Sequence, residues 1–358
     1  MASIRRQNML AIGMDVHSSK TTAYAVPLEE SDMELCDLAE EFNVRFRRFD
    51  STPSGYGKVA DFLTGVEHSI LIENSTKSHE VYWTLTDLGC IVMVAHVTDL
   101  LRITKSKKKT DQHDCFELAH YMRRRALGEI EFSECLIVDG KWMNRRQMCR
   151  LYAQESDLLS DTRRQLRSFM LLRGNAVPTL AKDIVSVKNL DRMELDADDT
   201  LSILLTRARD SKKRLVKCEK AIRKEFSDDP TYQSLYSIPG FGLVTSAYIS
   251  SLIVDITRFK SDKAFAAYLG IVPAQRDSGE SNPHCHITRR GDARAREMLM
   301  KSVLIHIRED RDKESAVTRL YDRLLSRGFP KRKALMAACN KMSRLIYKVL
   351  TTGESFRM

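Results

Sequence analysis

The eight residues Met9-Leu-Ala-Ile-Gly-Met-Asp-Val16 constrain the fold more than any other stretch of the chain. An apolar run this short, bounded by polar residues, reads as a strand buried on both faces, which needs neighbours in a sheet and cover on either side. Asp15 stands inside that run, where a carboxylate without partners is costly. A second apolar run, Ser69-Ile-Leu-Ile72, ends in the same way on Glu73. The two strands pose one question: what stabilises a negative charge at the end of each.

The surrounding pattern supplies the frame. After the polar turn 17–20, residues 21–26 read as a second strand. Residues 41–49 read as a third, because Phe42, Val44 and Phe46 alternate with Asn43, Arg45 and Arg47. The pattern then predicts a helix over 53–64, a strand over 69–72, a helix over 77–88, a strand over 91–95 and a helix over 111–127. Three strands followed by alternating helix and strand is the order of an α/β, ribonuclease H-like fold, in which the first and fourth strands are neighbours. Asp15 and Glu73 are then expected side by side.

Farther along, 141–173 and 200–226 carry helical periodicity. In the first, Met148, Leu151, Leu158, Leu166 and Phe169 lie near one face, with polar Glu155 and Thr162 interrupting the stripe, so no strict heptad is supported. The pair reads either as an antiparallel hairpin between domains, usable for dimerisation, or as an ordinary packed pair. The turn Ser237-Ile-Pro-Gly-Phe-Gly242 reads either as a helix-hairpin-helix turn offering N–H groups to a phosphate or as a plain interhelical turn. At 358 residues the chain has room for two or three domains.

Asp111 and Asp114, in Lys109-Thr-Asp-Gln-His-Asp114, share one face at the start of the third predicted helix. An acidic first turn complements the helix dipole. In company with Asp15 and Glu73 a second reading arises: four converging carboxylates repel unless divalent cations neutralise them, and oxygen ligands select Mg²⁺ or Mn²⁺. Two such ions ~4 Å apart suit phosphodiester chemistry. Lys105, Lys107, Lys108 and Lys109 then stand where a nucleic-acid backbone approaches, while His17 and His113 are read as residues that support the cluster from behind its ligands or are merely local. The eight cysteines form no C-x-x-C pair, and the cluster His284-Cys285-His286 has poor spacing for a structural zinc site.

Charge is unevenly placed. Residues 289–358 hold eighteen Lys and Arg against eight Asp and Glu, an excess equal to the formal net charge of +10 of the whole chain. Such a tail favours a polyanionic partner. The N-terminal stretch is a poor signal peptide and no apolar run approaches the ~20 residues that span a bilayer, so a cytoplasmic, membrane-free protein is expected.

Taken in order, Gly13-Met-Asp-Val16, Leu71-Ile-Glu73 and Lys109-Thr-Asp-Gln-His-Asp114 resemble the DEDD transposases of insertion-sequence family one-ten and the related Piv-type DNA invertases. In the second half, Ile238-Pro-Gly-Phe-Gly242, Tyr268-Leu-Gly-Ile-Val-Pro273, Asp277-Ser-Gly279 and Ile287-Thr-Arg-Arg-Gly291 extend the resemblance. It implies a RuvC-like domain over 1–130 with Asp15, Glu73, Asp111 and Asp114 as metal ligands, a helical connector over 131–230, and a mostly helical transposase domain over 231–358. That last domain would supply a serine nucleophile at Ser278, with Ser281 as second candidate. Arg276, Arg289 and Arg290 would brace phosphate. The resemblance also implies a prokaryotic enzyme that works as a dimer or tetramer on donor and target DNA, through a phosphoserine intermediate and with a structured bridge RNA as guide. Competing readings are a site-specific invertase, a RuvC-like nuclease that uses water in place of Ser278, and a basic nucleic-acid-binding protein whose acidic cluster merely caps a helix.

Overall fold

The computed structural model describes residues 9–29, 33–46, 48–96, 100, 110–174, 183–195, 197–272, 287, 291–354 and 356. The chain divides into two compact units, Met1–Asp139 and Gly140–Met358.

The first unit is a five-stranded sheet with helices on both faces. Its elements run β1 (Met9–Val16), β2 (Lys20–Pro27), α1 (Met33–Phe46), β3 (Arg48–Asp50), α2 (Pro53–Phe62), β4 (Glu67–Glu73), α3 (Ser78–Asp87), β5 (Val92–Ala95) and α4 (Asp111–Ala126). Strand order is β3-β2-β1-β4-β5. β1 pairs antiparallel with β2, and β2 with β3, whereas β1–β4 and β4–β5 are parallel. The central pair β1 and β4 carries the two continuous apolar runs, because central strands covered on both faces have no polar side to show.

Side-chain parity sorts the faces. Leu10, Ile12 and Met14 join Phe42, Tyr56, Val59, Val81 and Leu85 in the core beneath α1, α2 and α3. Ala11 joins Leu71, Leu118 and Met122 beneath α4. Gly13 and Asp15 share parity with Ala11 and so belong to the α4 face.

The expected third strand over 41–49 is corrected by the structure. Helix α1 runs through Phe46, and the strand that follows is the three-residue β3. Buried Leu35, Ala39 and Phe42 recur at helical spacing across a stretch of good helix formers. That upstream periodicity overrides the local alternation of Phe42, Val44 and Phe46.

The second unit is helical: α5 (Gly140–Leu172), α6 (Val187–Glu194), α7 (Asp199–Phe226), α8 (Pro230–Tyr236), α9 (Leu243–Ile253), a 3-10 turn (Ile256–Arg258), α10 (Asp262–Tyr268), α11 (Ala293–Glu309), α12 (Ala316–Ser326) and α13 (Lys331–Thr352). α5 and α7 are antiparallel, because their partners descend in step. Arg145 bonds Glu225 at 3.2 Å, Tyr152 bonds Glu219 at 3.1 Å, Glu155 accepts from Arg214 at 2.8 Å, and Arg173 pairs with Asp198. Thr162, read as an interruption of the stripe, is fully buried and turns its hydroxyl onto the Leu158 carbonyl at 2.8 Å. One end of this pair forms a core with α6, through Leu166, Leu205 and Leu190. The other end shares Cys149, Ile222 and Phe226 with the C-terminal helices.

The turn at Gly240 is a packing device. Its φ is +87°, and a Cβ there would lie 2.5 Å from the Ser302 carbonyl oxygen and 2.6 Å from the His306 amide nitrogen on α11. Among the described residues no helix is long and apolar enough to cross a membrane, and the cysteines described are free thiols.

Candidate metal centre

The first sequence-predicted carboxylate is placed by sheet register. Asp15 on β1 lies opposite Thr22 on β2, and Thr22 lies opposite Arg48 on β3. On the other side Met14 pairs with Ile72, so the next step along both strands sets Glu73 level with Asp15. One rung of the sheet therefore carries Arg48, Thr22, Asp15 and Glu73, and directly opposed residues share a face. The chain after Glu73 is held by Ser78, whose hydroxyl donates to the Glu73 carbonyl at 3.1 Å and accepts from the Ser75 amide at 2.6 Å.

Helix α4 brings the other two carboxylates. Thr110 caps its N-terminus, accepting from the His113 amide at 3.2 Å, and Asp111 and Asp114 occupy the first turn. The helix crosses the sheet directly over Gly13. A Cβ on that glycine would sit 2.1 Å from the Cys115 carbonyl oxygen and 2.3 Å from the Ala119 amide nitrogen. This contact sets how closely the first turn of α4 approaches the end of β1.

Between the two elements stands His17. Its Nε2 lies 3.2 Å from Asp15 Oδ2 and 3.3 Å from Asp111 Oδ1. Arg48 donates to Asp111 Oδ2 at 3.0 Å. Ligand atoms of Asp15, His17 and Asp111 all lie within 4.8 Å of one another, a group wide enough for a metal ion. Glu73 and Asp114 are outside that group. Asp114 flanks it closely enough to raise the Asp15 pKa, and its buried Oδ1 has no hydrogen-bond partner among the described residues.

The charges are poised unequally. Burial pushes the Asp15 carboxyl above its ordinary 3.8; His17 pulls it back, while Asp114 and Asp111 add repulsion. Burial works upward on Asp111 as well, but His17 and Arg48 outweigh it and hold that carboxyl below its ordinary value. The carboxylates of Asp15 and Asp111, with the orphaned Asp114 oxygen beside them, are hard oxygen donors of the kind that suit Mg²⁺ or Mn²⁺, whereas the His17 imidazole is a donor that suits softer transition metals.

This imbalance has a sign that can be tested. Because the folded state holds the Asp15 proton more tightly than the unfolded chain, the stability it contributes is present at low pH and is lost as pH rises through the raised value. Asp15→Asn removes that loss. In chelator, the variant is expected to melt above the wild type at pH 7, with the gap closing towards pH 4. A lower melting temperature for the variant at pH 7 would count against this electrostatic picture.

His17 is the functional candidate underrated from sequence. Its signal is its position two residues beyond Asp15, at the exit of a strand whose parity was already known. Arg48 gave no local signal, since only the β2–β3 register brings it to Asp111. Lys105, Lys107, Lys108, Lys109, Arg276, Ser278, Ser281, the 284–286 cluster, Arg289 and Arg290 lie outside the described residues. The end of their segment is visible at Gly291, where φ is +80° and a Cβ would meet the Tyr268 carbonyl oxygen at 2.1 Å.

Comparison with known proteins bears on both halves. Residues 232–318 match the family model described as "Transposase IS116/IS110/IS902 family". The chain is 21% identical over 344 residues to the "Transposase for insertion sequence element IS1111A" of Coxiella burnetii, covering 93% of this chain and 90% of that protein. It is 25% identical over 281 residues to a "Probable family 20 transposase" of Pseudomonas aeruginosa, covering 77% and 82%. With the "Transposase for insertion sequence element IS1328" of Yersinia enterocolitica it shares 26% identity over 198 residues, 54% and 58% of the two chains. The matched domain and the near full-length similarity agree with the ordered motifs: residues 232–318 carry the domain of the IS116/IS110/IS902 transposase family, and the chain as a whole is similar to insertion-sequence transposases.

Proposed function

We propose that this chain is a DNA transposase that cuts and rejoins strands, with a RuvC-like domain over 1–130, connecting helices over 131–230 and a transposase domain over 231–358. The observation that carries the reading is the meeting of Asp15, His17 and Asp111 at the end of the central strand, in a chain whose residues 232–318 match a transposase family model. The mixed sheet, with an antiparallel β1–β2–β3 side and a parallel β4–β5 side, supports the RuvC-like assignment.

In this reading Asp15, Glu73, Asp111 and Asp114 hold Mg²⁺ or Mn²⁺, and His17 is placed to join them. The bound cations would lower the charge on the attacking and leaving oxygens. Ser278 is the nucleophile. Its Oγ loses a proton to solvent and bonds to phosphorus as a deoxyribose oxygen leaves, so the ester is conserved as a protein–DNA link. A hydroxyl of a second strand then attacks the phosphorus and releases the serine. Arg276, Arg289 and Arg290 brace the phosphate. A structured bridge RNA bound by the lysines at 105–109 and the basic tail guides site choice, and the assembly is a dimer or tetramer in a prokaryotic cytoplasm.

The test is a covalent band. With Mg²⁺ and a duplex carrying the element's end, the protein is expected to form a DNA-linked species that resists denaturant and to exchange strands. Ser278→Ala is expected to eliminate both, and Ser281→Ala neither. Strand cleavage at the normal rate by Ser278→Ala, leaving free ends, would replace this mechanism with hydrolysis.

A further inference from the structure

Asp111 is the most exposed of the three grouped residues apart from His17, with its side chain 37% accessible at the very start of α4. A carboxylate in that position has several staggered rotamers open to it, and pinning one costs conformational entropy. Its two oxygens are nevertheless divided between different partners. Oδ1 faces inward, 3.3 Å from the His17 nitrogen that also touches Asp15, while Oδ2 faces outward and accepts from Arg48 at 3.0 Å.

Arg48 can make this contact because β3 adds to the sheet edge at one register. Lys20 pairs with Asp50, Thr21 with Phe49 and Thr22 with Arg48, which puts the guanidinium on the rung of Asp15 and on the face covered by α4. We propose that Arg48 is the positioning residue for Asp111, occupying its outer oxygen so that the inner oxygen stays turned towards Asp15 to receive a divalent cation. The inference rests on the reading of Asp15 and Asp111 as cation ligands.

Charge and orientation act in opposite directions here, which makes the role decidable. A guanidinium adds positive charge close to the cation, so by Coulomb repulsion alone its removal would tighten cation binding. Loss of orientation would loosen it, as loss of a group that holds a metal ligand typically does, by about 10- to 100-fold.

The experiment is a Mn²⁺ titration of the melting temperature on the full chain, comparing wild type with Arg48→Gln, Arg48→Lys and Lys20→Gln. Lys20→Gln removes the neighbouring 2.6 Å ion pair with Asp50 on the same strand pairing and controls for a loosened sheet edge. The half-saturating Mn²⁺ concentration is expected to rise about tenfold in Arg48→Gln, to recover in part in Arg48→Lys, and to stay at the wild-type value in Lys20→Gln. An unchanged or lower value in Arg48→Gln, or an equal rise in Lys20→Gln, would overturn the positioning role while leaving the cation site standing. A wild type with no Mn²⁺-dependent rise would overturn the cation site and this inference together.

Discussion

Gly13→Val is expected to lower DNA cleavage by at least about 100-fold, because the added side chain has nowhere to go and the helix above it carries two of the site carboxylates. The atoms that even a Cβ would strike are the Cys115 carbonyl oxygen at 2.1 Å, the Ala119 amide nitrogen at 2.3 Å and the Leu118 Cβ at 2.7 Å. Two of these are backbone, so no rotamer change relieves the clash and α4 must lift from the sheet. Asp111 and Asp114 lift with it, away from Asp15. Overpacking of this kind costs about 1–3 kcal/mol, enough to lower the melting temperature without unfolding the unit. Gly13→Ala is expected to fall between wild type and Gly13→Val in both readouts. Full cleavage activity in Gly13→Val, measured beside its thermal melt, would mean that the approach of α4 to β1 does not set the site.

Arg145→Ala is expected to produce the largest stability loss in the second unit. The guanidinium is 6% exposed and bonds Asp229 Oδ2 at 2.9 Å, Glu225 Oε1 at 3.2 Å and the Glu225 carbonyl at 2.7 Å. It also lies over the rings of Trp142 and Phe226, at 4.5 and 4.7 Å from their centroids. Asp229 is itself buried and accepts from the Tyr232 amide at 2.7 Å and the Ser250 hydroxyl at 3.0 Å, joining α5, α8 and α9 through one carboxylate. Removing the arginine strands that charge in the interior, at a cost of about 3–5 kcal/mol. For a unit of this size the melting temperature should fall by about 10 °C. Arg145→Met combined with Asp229→Asn should recover part of the loss, since no unpaired charge remains. A fall of only ~2 °C in Arg145→Ala would show that the network contributes little.

The contrast between these two sites explains what could be read without coordinates. β1 and β4 were legible because buried central strands write their burial as unbroken apolar runs, and α4 because an acidic first turn marks a helix start. From those elements the convergence of Asp15 with Asp111 followed. The third strand differs because Phe42, Val44 and Phe46 satisfy a two-residue period locally, while the helical period of buried Leu35, Ala39 and Phe42 begins upstream. Arg48 and Arg145 were not legible at all. The first reaches Asp111 across 63 residues through strand register, and the second reaches Asp229 across 84 residues through helix packing. Neither relation leaves a periodic trace in the sequence. Thr162 and Gly240 show the converse, since a polar residue in an apolar stripe and a glycine in a turn each had a packing reason that appears only with the neighbour in place.

The central claim is that the rung ending β1 and the first turn of α4 bind divalent cations, and Mn²⁺ binding tests it most directly. Free Mn²⁺ can be followed by its paramagnetic resonance as protein is added, with no dependence on DNA, RNA or activity. The wild-type chain is expected to take up about two ions, and the Asp15→Asn, Asp111→Asn double variant to lose that uptake while keeping a cooperative thermal melt. A folded double variant that binds as much Mn²⁺ as wild type, with the same affinity, would contradict the account.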